Sequence, residues 1–368
     1  MTGDTMDINK NQLISETAKL GNELHNGLSL DRVAREYSSF LAMNSIIANL
    51  TGRCLDHNLV FQNQPEMPRY IKKDYDKSML NFYNKVLREF PLYKEISSNV
   101  LKAYLDSGIE DYMLGGCIRG YSEKDAKEIL LSYFSEYGDK AYKTAKRMIE
   151  EERIQMGYQY ENSPSMAFHT GSVLLQTGYI CMQQDKYDSS TLAFLSHELG
   201  HAIDKEIFYY PQQKKIKVYD DPFNEIPSTF FELGMLSHLK EQGIDPNGAL
   251  MLQSFYLNIM YARQYHLLDT FANIEKTGSI EMTEDFRNWF LYGMGYYVAL
   301  AMNELSRENP EEYFRKFTDM ACARNEADFT GLIEIAGIDS ESFINGDFIR
   351  KKLDSEVMQL KKRYGYKE

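Results

Sequence analysis

Cysteine is scarce and dispersed: Cys54, Cys117, Cys181 and Cys322 are the four in 368 residues, and no two form a C-x-x-C pair. That argues against a disulfide framework and against structural zinc held by cysteines, and it suits a reducing, cytoplasmic location. Basic residues are outnumbered, 41 Lys and Arg against 54 Asp and Glu, for a formal net charge of −13. Nucleic acid, which wants a basic patch, is therefore not an expected partner, and neither is an anionic membrane surface. Long apolar runs are missing too. Met1 to Lys19 is polar with no apolar core, so no signal peptide is expected. Trp289 to Asn303 carries no charge but falls short of the about 20 residues a spanning helix needs. Glycine (23) and proline (9) interrupt the chain only sparsely. No internal repeat or low-complexity tract is present.

What is present is a chain long enough for one large domain or two modest ones, with 43% hydrophobic residues to fill a core. Apolar residues recur at helical spacing over most of it, so the expected class is mainly α. Leu30 to Leu50 reads as one helix, and Lys72 to Leu105 as one or two helices broken near Pro91. Glu123 to Met156 reads as a helical pair broken at Tyr137-Gly138-Asp139. One stretch departs from this. Ser172 to Leu175 and Tyr179 to Met182 are short β-type runs separated by Gln176-Thr177-Gly178, which predicts a small hairpin.

Directly after it comes Ser196-His197-Glu198-Leu199-Gly200-His201, an H-E-x-x-H pattern. On a helix, positions four apart return to one face, so His197 and His201 can hold one metal ion from one side. Glu198 can then reach a water on that ion and take its proton. Asp188, Ser189 and Ser190 supply N-cap oxygens for such a helix. Leu192, Ala193, Phe194, Leu195, Leu199, Ala202 and Ile203 surround the motif with apolar side chains, which predicts a buried helix. A di-iron carboxylate site would need a second E-x-x-H pair, and none is found.

A catalytic zinc takes three protein ligands and keeps a fourth position open. Ile207 occupies the place where a metzincin would put its third histidine. The leading candidate is Glu225, with Glu206, Asp204, Asp220 and Asp221 as alternatives. Asp221 reads as an N-cap and Pro222 as the first residue of a second helix, on which Glu225, Ser228, Thr229 and Glu232 share a face. Glu232 is either an acceptor that orients a ligating imidazole or an ordinary helix-pairing glutamate. His25, His57, His238 and His266 have no metal-like spacing. His169, at the start of the hairpin, is a candidate substrate contact.

The pair H-E-L-G-H (197–201) and F-N-E-I-P-S-T-F-F-E (223–232) resembles the zinc and third-ligand motifs of the oligoendopeptidase F and thimet oligopeptidase family. The likeness extends over about residues 120 to 360. It takes in Lys127 to Tyr158, Arg263-Gln264 with Phe271-Ala272-Asn273-Ile274-Glu275, and Leu332 to Asp339. The resemblance implies a helical zincin-type fold of the gluzincin kind, with a small hairpin or sheet beside the active-site helix. It implies one Zn2+ per chain on His197, His201 and Glu225, Glu198 as general base, and cleavage of short peptides inside a channel. Late tyrosines would face the scissile bond, here Tyr296 first and Tyr292 second, with Tyr297 as a substrate contact. Gly178, Tyr179 and Ile180 would hold extended peptide as an edge strand.

Three departures stand out. Asp204 occupies a position where that family usually has histidine, which bears on how the ligands are supported, and Thr229 replaces a glutamine. Residues 1–119 are much shorter than the family's N-terminal half. They read as a reduced channel wall or lid ahead of a catalytic domain at 120–368. That implies a more open cleft or one closed by a second copy of the chain in a homo-oligomer. An inactive zinc-bearing peptide-binding protein of the same fold is the alternative reading.

Overall fold

The computed structural model describes residues 6–25, 30–53, 55, 67–109, 118–159, 167–211, 223–279, 281, 283–323 and 327–364. Cys54, Cys117, His57 and the N-cap and N1 candidates Asp221 and Pro222 lie outside the described residues. The described chain is mainly α with a small sheet. Helices α1 (Lys10–His25), α2 (Leu30–Thr51), α3 (Met67–Arg88) and α4 (Phe90–Ser107) come first. Strand β1 (Gly120–Tyr121), helices α5 (Glu123–Ser135) and α6 (Asp139–Glu150), and strands β2 (Ile154–Gln155), β3 (Ala167–Ser172), β4 (Thr177–Met182) and β5 (Tyr187–Asp188) follow. Next come α7 (Ser189–Asp204), a π-turn at Lys205–Tyr209, α8 (Ile226–Glu241), α9 (Pro246–Thr277) and α10 (Glu284–Ser306). The chain closes with α11 (Pro310–Ala323), α12 (Phe329–Ile335), α13 (Ser340–Ile344) and α14 (Asp347–Tyr364). Among the described residues, no helix is long and apolar enough to cross a membrane.

Contacts group the chain into two compact units, each drawn from three stretches of sequence. One comprises Met1–Asn81, Tyr121–Tyr187 and His201–Asp220; the other comprises Phe82–Gly120, Asp188–Gly200 and Asp221–Glu368.

In the first unit, Leu13, Leu20 and Leu24 recur at helical spacing on α1 and meet Tyr37, Phe40, Met43 and Ile47 of α2. Phe168, Tyr179 and Cys181, on one face of the sheet, complete this core with Tyr158. The sheet order is β2-β4-β3, so β4 is central, parallel to β2 and antiparallel to β3 with His169 opposite Ile180. A buried ionic cluster fastens helix to sheet. Arg153 binds Glu16 at 2.9 and 3.0 Å and also reaches Glu151 and Thr177. Tyr179 and Thr177 donate their hydroxyl hydrogens to the same Glu16 oxygen, at 2.6 and 2.8 Å.

The hairpin differs from expectation in its first strand. That strand is 167–172, and Val173-Leu174-Leu175-Gln176 is the turn. Glu36 of α2 is the reason: it accepts from the Ser172 hydroxyl at 2.5 Å and from the Leu174 N–H at 3.0 Å, and Gln176 takes a left-handed φ of 52°. Leu174 and Leu175 are apolar because they pack on the α1–α2 core, not because they lie in a strand. The α5–α6 break falls at Gly138 as expected, with its φ of 85°. The second helix of that pair stops at Glu150 and does not run to Met156, since Glu152 turns left-handed ahead of β2.

The second unit is built around α8, whose residues from Ile226 to Leu239 are all buried. A helix enclosed on every side shows no apolar stripe, only apolar and small residues throughout. Phe230 and Phe231 pack on Phe314 and Phe317 of α11. A second aromatic cluster joins Tyr93, Phe223, Phe290 and Phe329. Each such ring contributes roughly 2–3 kcal/mol through the area it removes from water. The break near Pro91 is real: α3 ends at Arg88, and Glu89 joins the two helices while accepting from the Tyr93 hydroxyl at 2.9 Å. Gln264 of α9 is fully buried, accepts from Ser97 of α4 at 2.7 Å and donates to the Gly293 carbonyl of α10 at 3.0 Å. This fixes the register of three helices around the centre described next.

Candidate metal centre

Helix α7 starts where Asp188 accepts from the Thr191 N–H at 2.9 Å, the N-cap bond its sequence allows. Ser189 then donates to Asp245 at 2.6 Å, and Asp245 also caps α9 through the Gly248 N–H at 3.1 Å. One buried carboxylate thus holds the starts of two helices together. The opposite partner of α7 is α8, which begins at Ile226, four residues later than expected. Residues 223–225 form a turn, with the Ile226 N–H donating to the Phe223 carbonyl at 3.1 Å. Pro227 sits in the first helical turn, where its missing N–H costs nothing. Glu225 is the residue just before the helix and spends no side-chain bond on capping.

Gly200 is what lets α7 and α8 approach. A Cβ at this position would lie 2.8 Å from the Ser228 Cα and 2.9 Å from the Pro227 carbonyl oxygen, inside any real contact distance. Both obstacles are backbone, so no side chain can swing aside.

This approach brings His197, His201 and Glu225 together: one ligand atom from each lies within 4.8 Å of the other two. Among the described residues, this is the group of histidine and acidic side chains spaced to hold a metal ion. His197 has its Nδ1 2.9 Å from Glu232 and its Nε2 3.4 Å from Glu225. The Glu232 carboxylate accepts from Nδ1 and so leaves Nε2 as the nitrogen on the side of Glu225. Two ligand atoms at zinc bond lengths and a tetrahedral angle sit about 3.3 Å apart, so the donor set and its spacing fit that ion. Burial alone would lower the His197 pKa, but the charge of Glu232, hydrogen bonding with Glu225 and Glu232, and the charge of Glu198 raise it well above the usual value. Ser228 donates to the Glu225 carboxylate at 3.0 Å. Glu198, one residue from His197, is buried.

The other acids considered for the third position lie elsewhere. Glu206, in the π-turn, accepts from Thr144 at 2.8 Å and pairs with Arg147. Asp204 is buried at the end of α7, outside the metal group. Asp220 and Asp221 lie outside the described residues.

The tyrosines of α10 separate sharply. Tyr296, preferred from sequence, has its hydroxyl buried with no hydrogen-bond partner among the described residues. Burial, then Glu232 and Glu356, keeps that phenol protonated. Tyr292 is only partly buried, and its phenol is held protonated first by the charge of Glu225, then by burial and Glu198. Tyr292, the second choice from sequence, is thus the phenol that senses the charges of Glu225 and Glu198. Tyr297, expected as a substrate contact, is stacked on Phe343 at 4.1 Å, and its hydroxyl donates to the Phe343 carbonyl at 2.9 Å.

Gly178, Tyr179 and Ile180 were expected on an edge strand, and the structure does not place them there. They lie on the central strand: all three pair with β3, Ile180 also pairs with Ile154 of β2 and donates its N–H to the Arg153 carbonyl at 2.9 Å, and the Tyr179 hydroxyl is committed to Glu16. The outer positions among the described strands of that sheet belong to β2 and β3, and β3 carries His169. Gly178 makes room for that imidazole, since a Cβ there would lie 2.5 Å from His169 Nε2. Both His169 ring nitrogens lack a hydrogen bond among the described residues, and burial, with Lys205 and His201 adding, drives its pKa down.

Two residues had no role assigned from sequence, although Arg263 belongs to a stretch that carries the resemblance. Tyr256 and Arg263, seven apart on α9, face the centre: the Tyr256 phenol interacts with Glu232, and the Arg263 guanidinium lies over the Tyr292 ring at 4.7 Å from its centroid. The i, i+7 spacing of a phenol and a guanidinium on a long helix was the available signal.

No protein-family model and no curated protein matches this sequence. Among solved structures, one from Bacillus anthracis str. Ames, described as a candidate oligoendopeptidase F, is similar at 14% identity and a TM-score of 0.45, over 95% of this chain and 73% of that one. Another, from Chlamydophila abortus and described as a candidate peptidase, is similar at 13% identity and a TM-score of 0.45, over 95% of this chain and 63% of that one. The chain thus spans less than two thirds of the second, and likeness at this level bears on neither chemistry nor substrate.

Proposed function

We propose that this chain is a zinc-dependent metalloendopeptidase that hydrolyses short peptides. The observation that carries the reading is the grouping of His197, His201 and Glu225, with Glu232 on the far nitrogen of His197 and Glu198 adjoining. The motif resemblance of residues 197–201 and 223–232 supports it.

His197, His201 and Glu225 would hold the ion. When bound, zinc supplies Lewis-acid polarisation of the peptide carbonyl and makes a nearby water more acidic. Glu232 keeps His197 in the tautomer that offers Nε2. Glu198 accepts the proton of the attacking water and returns it to the leaving amine. Tyr292 stays protonated beside two carboxylates and donates a hydrogen bond to the oxygen that gains charge.

Glu198→Gln keeps the shape and removes the base. It is expected to lower peptide turnover by at least about 10³-fold while the purified protein retains one zinc per chain. Turnover is read with a mixed peptide library and metal content by elemental analysis. Chelation of the wild type should abolish cleavage and re-addition of zinc restore it. Full turnover by Glu198→Gln, or cleavage indifferent to chelation, refutes the assignment. A zinc-replete wild type that binds peptides and cuts none identifies a binding protein.

A further inference from the structure

Arg263 carries a charge that has no counter-group in contact among the described residues. Its guanidinium lies against the face of Tyr292, yet among the described residues it makes no hydrogen bond and no ion pair. Burial disfavours its charged form, and Tyr292, Glu232 and Glu225 favour it only through space. A guanidinium has five N–H donors and cannot shed its proton under ordinary conditions. Leaving all five without a protein acceptor in a partly buried place is costly unless water or a ligand takes them.

The neighbourhood says which ligand. The face of Arg263 is spent on the Tyr292 ring, which leaves the N–H edge for a planar acceptor. A carboxylate matches that edge with two parallel hydrogen bonds, whereas a peptide carbonyl or a hydroxyl uses one. Gln264, the next residue, is locked between α4 and α10, so the arginine's backbone is held in one register. The placement fits as well: Tyr292 and Arg263 both sense the charges of Glu225 and Glu232, so the guanidinium stacked on Tyr292 adjoins the centre.

We propose that Arg263 anchors a carboxylate of the bound peptide and makes the site selective for peptides that present one close to the bond cleaved. This rests on the peptidase reading above and adds the substrate feature it reads. An extended peptide advances about 3.3–3.6 Å per residue. With the guanidinium 4.7 Å from the Tyr292 centroid, the anchored carboxylate lies roughly one to three residues from the scissile bond. A C-terminal carboxylate and an aspartate or glutamate side chain share this chemistry.

Three short peptides of one sequence separate the cases: a free acid, its C-terminal amide, and an amide with a glutamate two residues beyond the cleaved bond. Each is measured for KM and kcat with zinc-loaded wild type, and for equilibrium binding to the Glu198→Gln protein. Preference of tenfold or more for the free acid alone assigns the terminal carboxylate, and recovery by the glutamate peptide assigns the side chain. Arg263→Gln should erase either preference, and Arg263→Lys should keep part of it, both with zinc content and melting temperature retained. Equal KM and equal binding for all three peptides overturn the proposal, as does a preference that survives Arg263→Gln or an absence of all binding. If no peptide is cut yet the binding preference and its loss in Arg263→Gln are seen, the peptidase reading fails and the anchor stands. Cleavage without preference has the opposite meaning.

Discussion

Two phenols one helical turn apart, Tyr292 and Tyr296, have the same chemistry and different surroundings. Tyr296 is sealed among protein atoms; Tyr292 keeps partial exposure and senses Glu225 and Glu198. A hydrogen bond that forms only as charge develops on the substrate raises kcat and leaves KM alone. Tyr292→Phe is therefore expected to lower kcat by about 10²-fold with KM within about threefold. Tyr296→Phe removes a hydroxyl that has no partner to lose, and should leave both constants within about twofold. Steady-state kinetics on one fluorogenic peptide reads both variants, and the reverse order of effects would return the role to Tyr296. Spacing could place both residues on one face, but not say which of them water reaches, because that depends on how other helices pack against that face.

At the scale of elements, the centre is a matter of how near two helices come. The H-E-x-x-H spacing set the shared face of His197 and His201 without any structure, because helical periodicity alone does that. The third ligand was less legible. Glu225 could be named from its residue type and surroundings, but its helix starts at Ile226, and only the contact at Gly200 explains why its carboxylate arrives. The hairpin was misplaced for a related reason: Leu174 and Leu175 look like strand residues, yet Glu36, some 140 positions earlier, holds them in a turn. Gly200→Ala tests the helix contact. Its methyl group would meet the Ser228 Cα and the Pro227 carbonyl, so the helices must separate by several tenths of an ångström. Overpacking of this kind costs about 1–3 kcal/mol. Zinc affinity is expected to fall at least about tenfold, because Glu225 retreats from both histidines while all three ligands remain in the chain. Competition against a chromophoric chelator measures it. Unchanged affinity in a protein of lowered melting temperature would show that Gly200 serves packing alone.

At the scale of the whole molecule, helical content was readable from periodicity, but the assembly of each compact unit from three separate stretches was not. Periodicity reports which face of an element is buried and is silent on its partner. The Glu16–Arg153–Tyr179 cluster illustrates this: three polar residues far apart in sequence, each ordinary alone, form one buried junction of helix and sheet. It also sets a pH limit on stability. Burial by itself would raise the Glu16 carboxyl, but hydrogen bonds from Arg153, Tyr179 and Thr177, with the Arg153 charge, hold it at about 2 against an ordinary 4.5. A carboxyl with a depressed folded-state pKa binds protons more readily when unfolded, so its contribution is complete above about pH 5 and is lost as pH falls toward 2. The full shift overstates the effect because this side chain keeps partial contact with water, and about 2 kcal/mol is the discounted figure at neutral pH. Glu16→Gln should accordingly lower stability at pH 7, and the gap to wild type should narrow between pH 5 and pH 2. Urea unfolding followed by far-UV circular dichroism across that range gives both curves. The slopes matter more than the offset. A gap that stays constant through the acid range would mean that the amide loses packing or hydrogen bonds and that the Glu16 charge contributes nothing, whereas a gap that closes locates the stabilisation in the ionised carboxylate.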